Sequence, residues 1–180
     1  MIRIFQNKYT DPNPNRDAEL RQCLEINEEN ANVVSFTDRL TYKQIFELVN
    51  TIVSDEDVSI VCNSDIYFLP QDLKLIEDNL KKNEVYALAR WDFDTLFDRP
   101  DAQDTWCFRG KIRIPEFSDF TMGIRGCDNR IAHELKEVGY EVKNPAKTIR
   151  SYHLHTSNVR RYMTGPIVPP PYLTIHPHTL

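Results

Sequence analysis

The stretch Val58-Ser59-Ile60-Val61-Cys62-Asn63-Ser64-Asp65-Ile66-Tyr67-Phe68 constrains this chain more than any other, because an apolar run breaks into three small polar residues and then turns apolar again. A short run rich in Val and Ile, closed by turn formers, reads as a strand buried on both faces. In open α/β sheets ligands collect at the carboxyl ends of such strands, which places Asp65 where a ligand would be met. A carboxylate at a strand end also serves as a turn former or a helix cap, and this stretch alone leaves both roles open.

The segments around it alternate between strand and helix patterns. Residues 2–5 read as a strand, residues 6–14 as a polar loop, and residues 16–29 as a helix capped by Asn15 with Leu20, Cys23, Leu24 and Asn27 near one face. Residues 32–36 form a second strand ending in Thr37-Asp38. Thr41 and Gln44 make a capping box for a helix whose apolar face is Tyr42, Ile45, Phe46, Val49, Ile52 and Val53. Pro70 suits the first turn of a helix ending near Lys82, and residues 85–89 and 105–108 read as strands. A last helix opens at Gly126-Cys127-Asp128 and closes at Gly139 as a left-handed cap; residues 140–142 and 148–155 are extended. Strands alternating with helices predict an α/β domain with a central, mainly parallel sheet flanked by helices. Residues 1–162 are read as that domain and residues 163–180 as an extended, proline-rich tail.

Composition removes several classes of function. The 180 residues suit one domain, and a net charge of −5 offers no general basic field for nucleic acid or anionic membrane. The four cysteines lack the paired spacing of a zinc ribbon or a disulfide framework, so reduced thiols are expected. With neither a signal peptide nor a membrane span in view, a cytoplasmic location is expected.

Asn63-Ser64-Asp65 after a buried strand, followed by Gly126-Cys127-Asp128-Asn129-Arg130, Gly139-Tyr140-x-Val142 and Tyr152-His153-Leu154-His155, resembles the GT-A-fold glycosyltransferases over roughly residues 1–162. The chain departs from that family's pattern in lacking the first acid of Asp-x-Asp and in placing Cys127 where a glutamate precedes the aspartate. The resemblance implies a GT-A-like (Rossmann-like) fold and transfer of a sugar from a nucleotide-diphosphate donor to a glycan or other hydroxyl acceptor. It implies a divalent cation, Mn²⁺ or Mg²⁺, held by Asp65 with His155 and His153, since hard cations prefer carboxylate and phosphate oxygens. Asn63, Ser64 and Arg160, with Ser157 and Arg161 nearby, are then donor contacts, and Phe5, Asn7 and Asp38 at the first strand ends face the nucleoside. Asp128 is the candidate base for the acceptor hydroxyl, with helix capping as its alternative duty. Arg90, Asp92 and Asp104 are candidate sugar contacts. Two further readings are carried along. The same Asp and His set suits a metal-dependent phosphoesterase, and the fold would also suit a non-catalytic protein that binds carbohydrate or a partner. A homo-oligomer or a second enzyme is expected to complete the acceptor pocket, because little chain remains to build one.

Overall fold

A computed structural model describes residues 1–159 and 166–180. Its main sheet is built from β1 (Ile2–Asn7), β2 (Asn32–Phe36), β3 (Val58–Cys62), β5 (Glu84–Leu88), β8 (Thr105–Arg109) and β9 (Glu141–Lys143), in the spatial order β2-β1-β3-β8-β5-β9. All pairings are parallel except the two made by β8, so the sheet is mixed but mostly parallel. Register fixes what lies at each edge. Gln6 pairs with Cys62, Asn7 with Phe36, and both Cys62 and Leu88 with Thr105, so the carboxyl ends of β1, β2, β3 and β5 and the start of β8 share one edge.

Side chains alternate across the sheet with the period of two that strands impose. Phe5, Val61, Trp106 and Phe108 face one buried cluster together with α2 (Tyr42–Ile52) and α4 (Cys127–Glu137). Ile4, Ile60, Cys62 and Cys107 face the other, against α3 (Pro70–Asn79). The capping box of Thr41 and Gln44 forms, and Tyr42, Ile45, Phe46 and Val49 are the buried face of α2. α1 (Pro14–Asn30) lies against β2 and against β4 (Ile66–Tyr67). It starts earlier than the sequence reading placed it: the Asn13 side chain, not Asn15, accepts the amides of Asn15 and Arg16, and Pro14 fills the first turn.

A second, four-stranded sheet was not foreseen. It joins β4, β6 (Arg90–Asp92), β7 (Thr95–Leu96) and β10 (Ser151–His153) in the order β4-β10-β6-β7. The extended segment expected over residues 148–155 is therefore a strand only at 151–153, paired between β6 and β4. α3 stops at Asn79 rather than near Lys82, because Leu80 turns extended and buries its side chain.

The edge remote from the strands' carboxyl ends is closed by the segment after β8. Arg109 donates to the Leu80 carbonyl at 2.7 Å and to that of Glu77, both at the end of α3. Lys111 donates to the Asn50 carbonyl in the last turn of α2, and Arg113 to the Gly139 carbonyl just beyond α4 while its guanidinium covers the Tyr140 ring. Cations at carbonyl-rich helix ends complement the negative pole of the helix dipole. The described part of the C-terminal segment, residues 166–180, packs on the domain: Val168 is buried, Leu173 N–H donates to the Asn129 carbonyl and Ile175 N–H to that of Pro100. Among the described residues no helix is long and apolar enough to cross a membrane.

Candidate functional site

The turn after β3 is held from below by two buried amides. Gln6, at the end of β1, donates to the Ser64 carbonyl at 2.9 Å; Asn27 of α1 donates to the Ile66 carbonyl at 2.9 Å and accepts from Phe68 N–H at 3.0 Å. Both side chains are fully enclosed, where an unpaired amide would be costly, so the turn has little freedom and Asp65 is aimed by its backbone.

Three further groups converge on that carboxylate. Arg16 of α1 donates to Asp65 Oδ2, His153 Nε2 stands 3.2 Å from the same oxygen, and His155 Nδ1 is 3.8 Å away. Burial alone would raise the Asp65 carboxyl, but His153 and Arg16 outweigh it and hold the group well below the usual carboxylate range. Each imidazole has its other nitrogen committed to an oxygen that can only accept. His153 Nδ1 lies 2.6 Å from Asp92 Oδ1, and His155 Nε2 lies 3.0 Å from the Val159 carbonyl. Those nitrogens therefore carry hydrogen, and in the neutral rings the nitrogens turned toward Asp65 are lone-pair donors. Burial pushes the His153 ring down, while Asp65 and Asp92 more than offset it and leave its pKa raised; His155 is lowered by burial and by Arg16.

One oxygen of Asp65, one nitrogen of His153 and one of His155 lie within 4.8 Å of one another. A carboxylate and two imidazoles with fixed outer hydrogen bonds fit a divalent cation, and Asp92 is the carboxylate partner that orients a ligating histidine. The loop bearing His155 is riveted to α1 by Glu19. That carboxylate accepts from Thr156 N–H and Oγ1 at 2.7 and 2.6 Å and from Ser157 N–H and Oγ at 2.6 and 2.8 Å, and it pairs with Arg16 at 3.1 Å. Burial opposes ionisation of Glu19, but these donors bring its pKa down to about 2.

A second set of charges meets the first. Asp104, between β7 and β8, accepts from Asn63 Nδ2 at 2.7 Å and from Arg90 at 3.2 Å, and Arg90 also reaches Asp92 at 3.3 Å. Opposite them, the loop before α4 places Asp128 in that helix's first turn. Gly126 in the left-handed conformation is the cap residue, and Asp128 makes no capping bond. Its Oδ1 accepts from the buried Cys127 thiol at 3.0 Å. Burial, with the charge of Asp104, pushes the Asp128 carboxyl up to about 7 against the opposing pull of the thiol, the Gln103 amide and Arg90.

These groups share one cavity of about 540 Å³ at the carboxyl ends of the strands, lined by Asn7, Asn63, Ser64, Asp65, Arg90, Asp104, Asp128, His153 and His155 among others. Comparison with protein families, curated proteins and solved structures returns no match.

Of the residues singled out in the sequence, four are placed differently; Ser157 is one, its N–H and hydroxyl both turned to Glu19. Phe5 is wholly buried, with its side chain in the core and its backbone flanked by β2 and β3, so the backbone groups expected to meet the nucleoside are enclosed within the sheet. Asp38 does not line the cavity; its carbonyl accepts from Asn7 at 2.9 Å, while Thr37 and Arg39 beside it do line the wall. Asp92 does not line the cavity; it is a partly exposed partner of His153 and Arg90. Arg160 and Arg161 lie outside the described residues. Arg16, Glu19, Arg39 and Arg125 are the participants that sequence reading missed. For the first two a signal existed, since Arg16 and Glu19 extend the buried stripe of Leu20, Cys23, Leu24 and Asn27 backward by one turn.

Proposed function

We propose that this chain is a glycosyltransferase that moves a sugar from a nucleotide-diphosphate donor to an acceptor hydroxyl. The observation that carries the reading is the meeting of Asp65, His153, His155 and Asp128 around one cavity, at the carboxyl ends of β1, β2 and β3. Helices α2 and α4 begin at its rim beside Leu40 and Gly126, and Arg39 and Arg125 line it as well, so positive helix ends and guanidinium groups border the space a diphosphate needs.

Asp65, His153 and His155 would hold the divalent cation, Mn²⁺ or Mg²⁺, with Asp92 orienting His153. When bound, such a cation supplies positive charge against the charge that develops on the departing diphosphate. Asp128 faces the acceptor and takes the proton of the attacking hydroxyl, and a carboxyl that titrates near neutrality is matched to that task at working pH. The Arg16–Glu19 pair keeps the Asp65 carboxylate and the His155 loop at fixed separation, so that binding energy is not spent on ordering them.

A metal-dependent phosphoesterase is the second reading, favoured by one observation: the Asp65, His153 and His155 donor set is complete without any nucleotide. A thermal-shift panel separates the two, because a specific ligand raises apparent stability by mass action. Nucleotide-diphosphate sugars with Mn²⁺ should stabilise the protein more than Mn²⁺ alone or simple phosphoesters. Equal response to nucleotide and non-nucleotide phosphoesters, with hydrolysis of the latter, would select the phosphoesterase; no response to any nucleotide sugar would refute the transferase.

A further inference from the structure

We infer that Cys127 is a positioning residue for Asp128, a buried thiol that orients the carboxylate by donating to its Oδ1. This assignment rests on the reading of Asp128 as the base. It concerns the position at which this chain departs from the Glu-Asp pair of the family it resembles.

The geometry is a short buried relay. Cys127 is 1 % exposed, its S–H donates to Asp128 Oδ1 at 3.0 Å, and the Tyr42 hydroxyl stands 3.9 Å behind the sulfur as a donor to it. Tyr42 is itself fixed, wholly buried and set edge-on to Trp106 and Phe120. Tyr42 and Cys127 cannot rotate without breaking core packing, which distinguishes the relay from a surface thiol beside an acid. A glutamate at 127 would bring a second negative charge next to Asp128 and into a pocket lined by Tyr42. A thiol brings a donor of the right size with no charge. Burial and the neighbouring Asp128 raise the Cys127 thiol well above its ordinary range, so it keeps its proton and acts only as a donor.

The groups that face Asp128 come from four elements. They are Cys127 on α4, Tyr42 on α2 through the sulfur, Arg90 on β6, and Asp104 with the Gln103 amide before β8. Asp104 disfavours the ionised form, whereas the thiol, the amide and Arg90 favour it. Removing one donor therefore shifts the balance toward the protonated acid, in which state Asp128 cannot accept the hydroxyl proton.

The test uses the full chain, with ¹³C-carboxyl aspartate and no ligand. Cys127→Ala is expected to raise the midpoint of the Asp128 titration by on the order of one pH unit, about a tenfold loss of ionised fraction below the midpoint. Cys127→Ser, which restores a donor, should return it to the wild-type value or lower. If both variants fold and neither moves the midpoint, the assignment is overturned and Cys127 is packing alone. Should the variants not fold, the wild-type protein still decides. Its infrared S–H band should change as Asp128 titrates, and Asp128→Asn should abolish that change, whereas a band insensitive to both overturns the assignment. These readouts do not depend on sugar transfer, so a chain inert toward every nucleotide sugar would refute the proposed reaction and leave the coupling to be judged by itself. If transfer is found, Cys127→Ala should lower kcat on the acidic limb of its pH profile without changing KM for the donor.

Discussion

Asp128→Asn should make this protein more stable and, on the proposed chemistry, inactive. A carboxyl whose pKa rises from 3.8 in ordinary surroundings to about 7 in the fold binds its proton more tightly when folded than when unfolded. Its presence therefore costs nothing below about pH 4, where both states are protonated. The cost grows by about 1.4 kcal/mol per pH unit up to about pH 7 and is constant above. The full interval corresponds to about 4 kcal/mol, an upper figure because the cavity relaxes around the charge. Asparagine keeps the shape and an oxygen that can accept from the Cys127 thiol, yet never ionises. Urea unfolding of both proteins from pH 4 to pH 9 isolates the effect, since titrating groups that do not interact with Asp128 are common to the two and cancel in the difference. The variant should match the wild type near pH 4 and exceed it by 1 kcal/mol or more, up to about 4 kcal/mol, at pH 8. A difference that does not vary with pH, or a variant that is the weaker one at pH 8, would show that Asp128 is not the strained acid described here.

Three other outcomes follow from named contacts. Isothermal titration with Mn²⁺ should detect a single site that Asp65→Asn abolishes and that Asp92→Asn weakens by about 10-fold to 100-fold, the usual result of losing the partner of a ligating histidine. Glu19→Ala should destabilise by about 3 kcal/mol or more in urea, because it leaves buried Arg16 half-paired and frees Thr156 and Ser157. The contribution of Glu19 should be present above about pH 4.5 and lost as pH falls toward 2, the sense required of a carboxyl whose pKa is lowered on folding. Gly126→Ala should cost more than Gly123→Ala although both glycines have positive φ. Each substitution carries about 1–2 kcal/mol of backbone strain, but only at Gly126 does the added methyl meet Val168 O at 2.9 Å and the Tyr172 hydroxyl at 3.0 Å. Thermal melts of the two variants would compare them directly, and equal losses would mean that the C-terminal segment does not press on this turn.

The parts legible in the sequence were those governed by local physics. The capping box and apolar stripe of α2 are written within one helix, and β3 announces itself by an unbroken apolar run closed by Asn63-Ser64-Asp65. Asp65 and Asp128 stand where an element ends or opens, whereas His153 and His155 are marked by their spacing of two on an extended segment and by the resemblance. What stayed hidden was long-range pairing. Arg16 meets Asp65, Glu19 meets Thr156 and Ser157, and Asp92 meets His153 from segments that no local pattern links. β8 reads like any other buried strand, and nothing in its composition marks it as the antiparallel one. Phe5 was misjudged for a related reason. In a strand covered on both faces, being near the carboxyl end does not place a side chain at the edge; parity and burial decide, and Phe5 points inward.

The clamp formed by Arg109, Lys111 and Arg113 bears on how the molecule can deform. Three helices are tethered at or just beyond their C-terminal turns to side chains of one short segment, so a slide or tilt there breaks those hydrogen bonds. The opposite rim is tied as well: the loops before α2 and α4 pair through the Thr41 and Thr121 bridge, and Tyr42 N–H donates to the Phe120 carbonyl at 3.0 Å. α2 is thus held at both of its ends, by a neighbouring side chain at one rim and by backbone at the other.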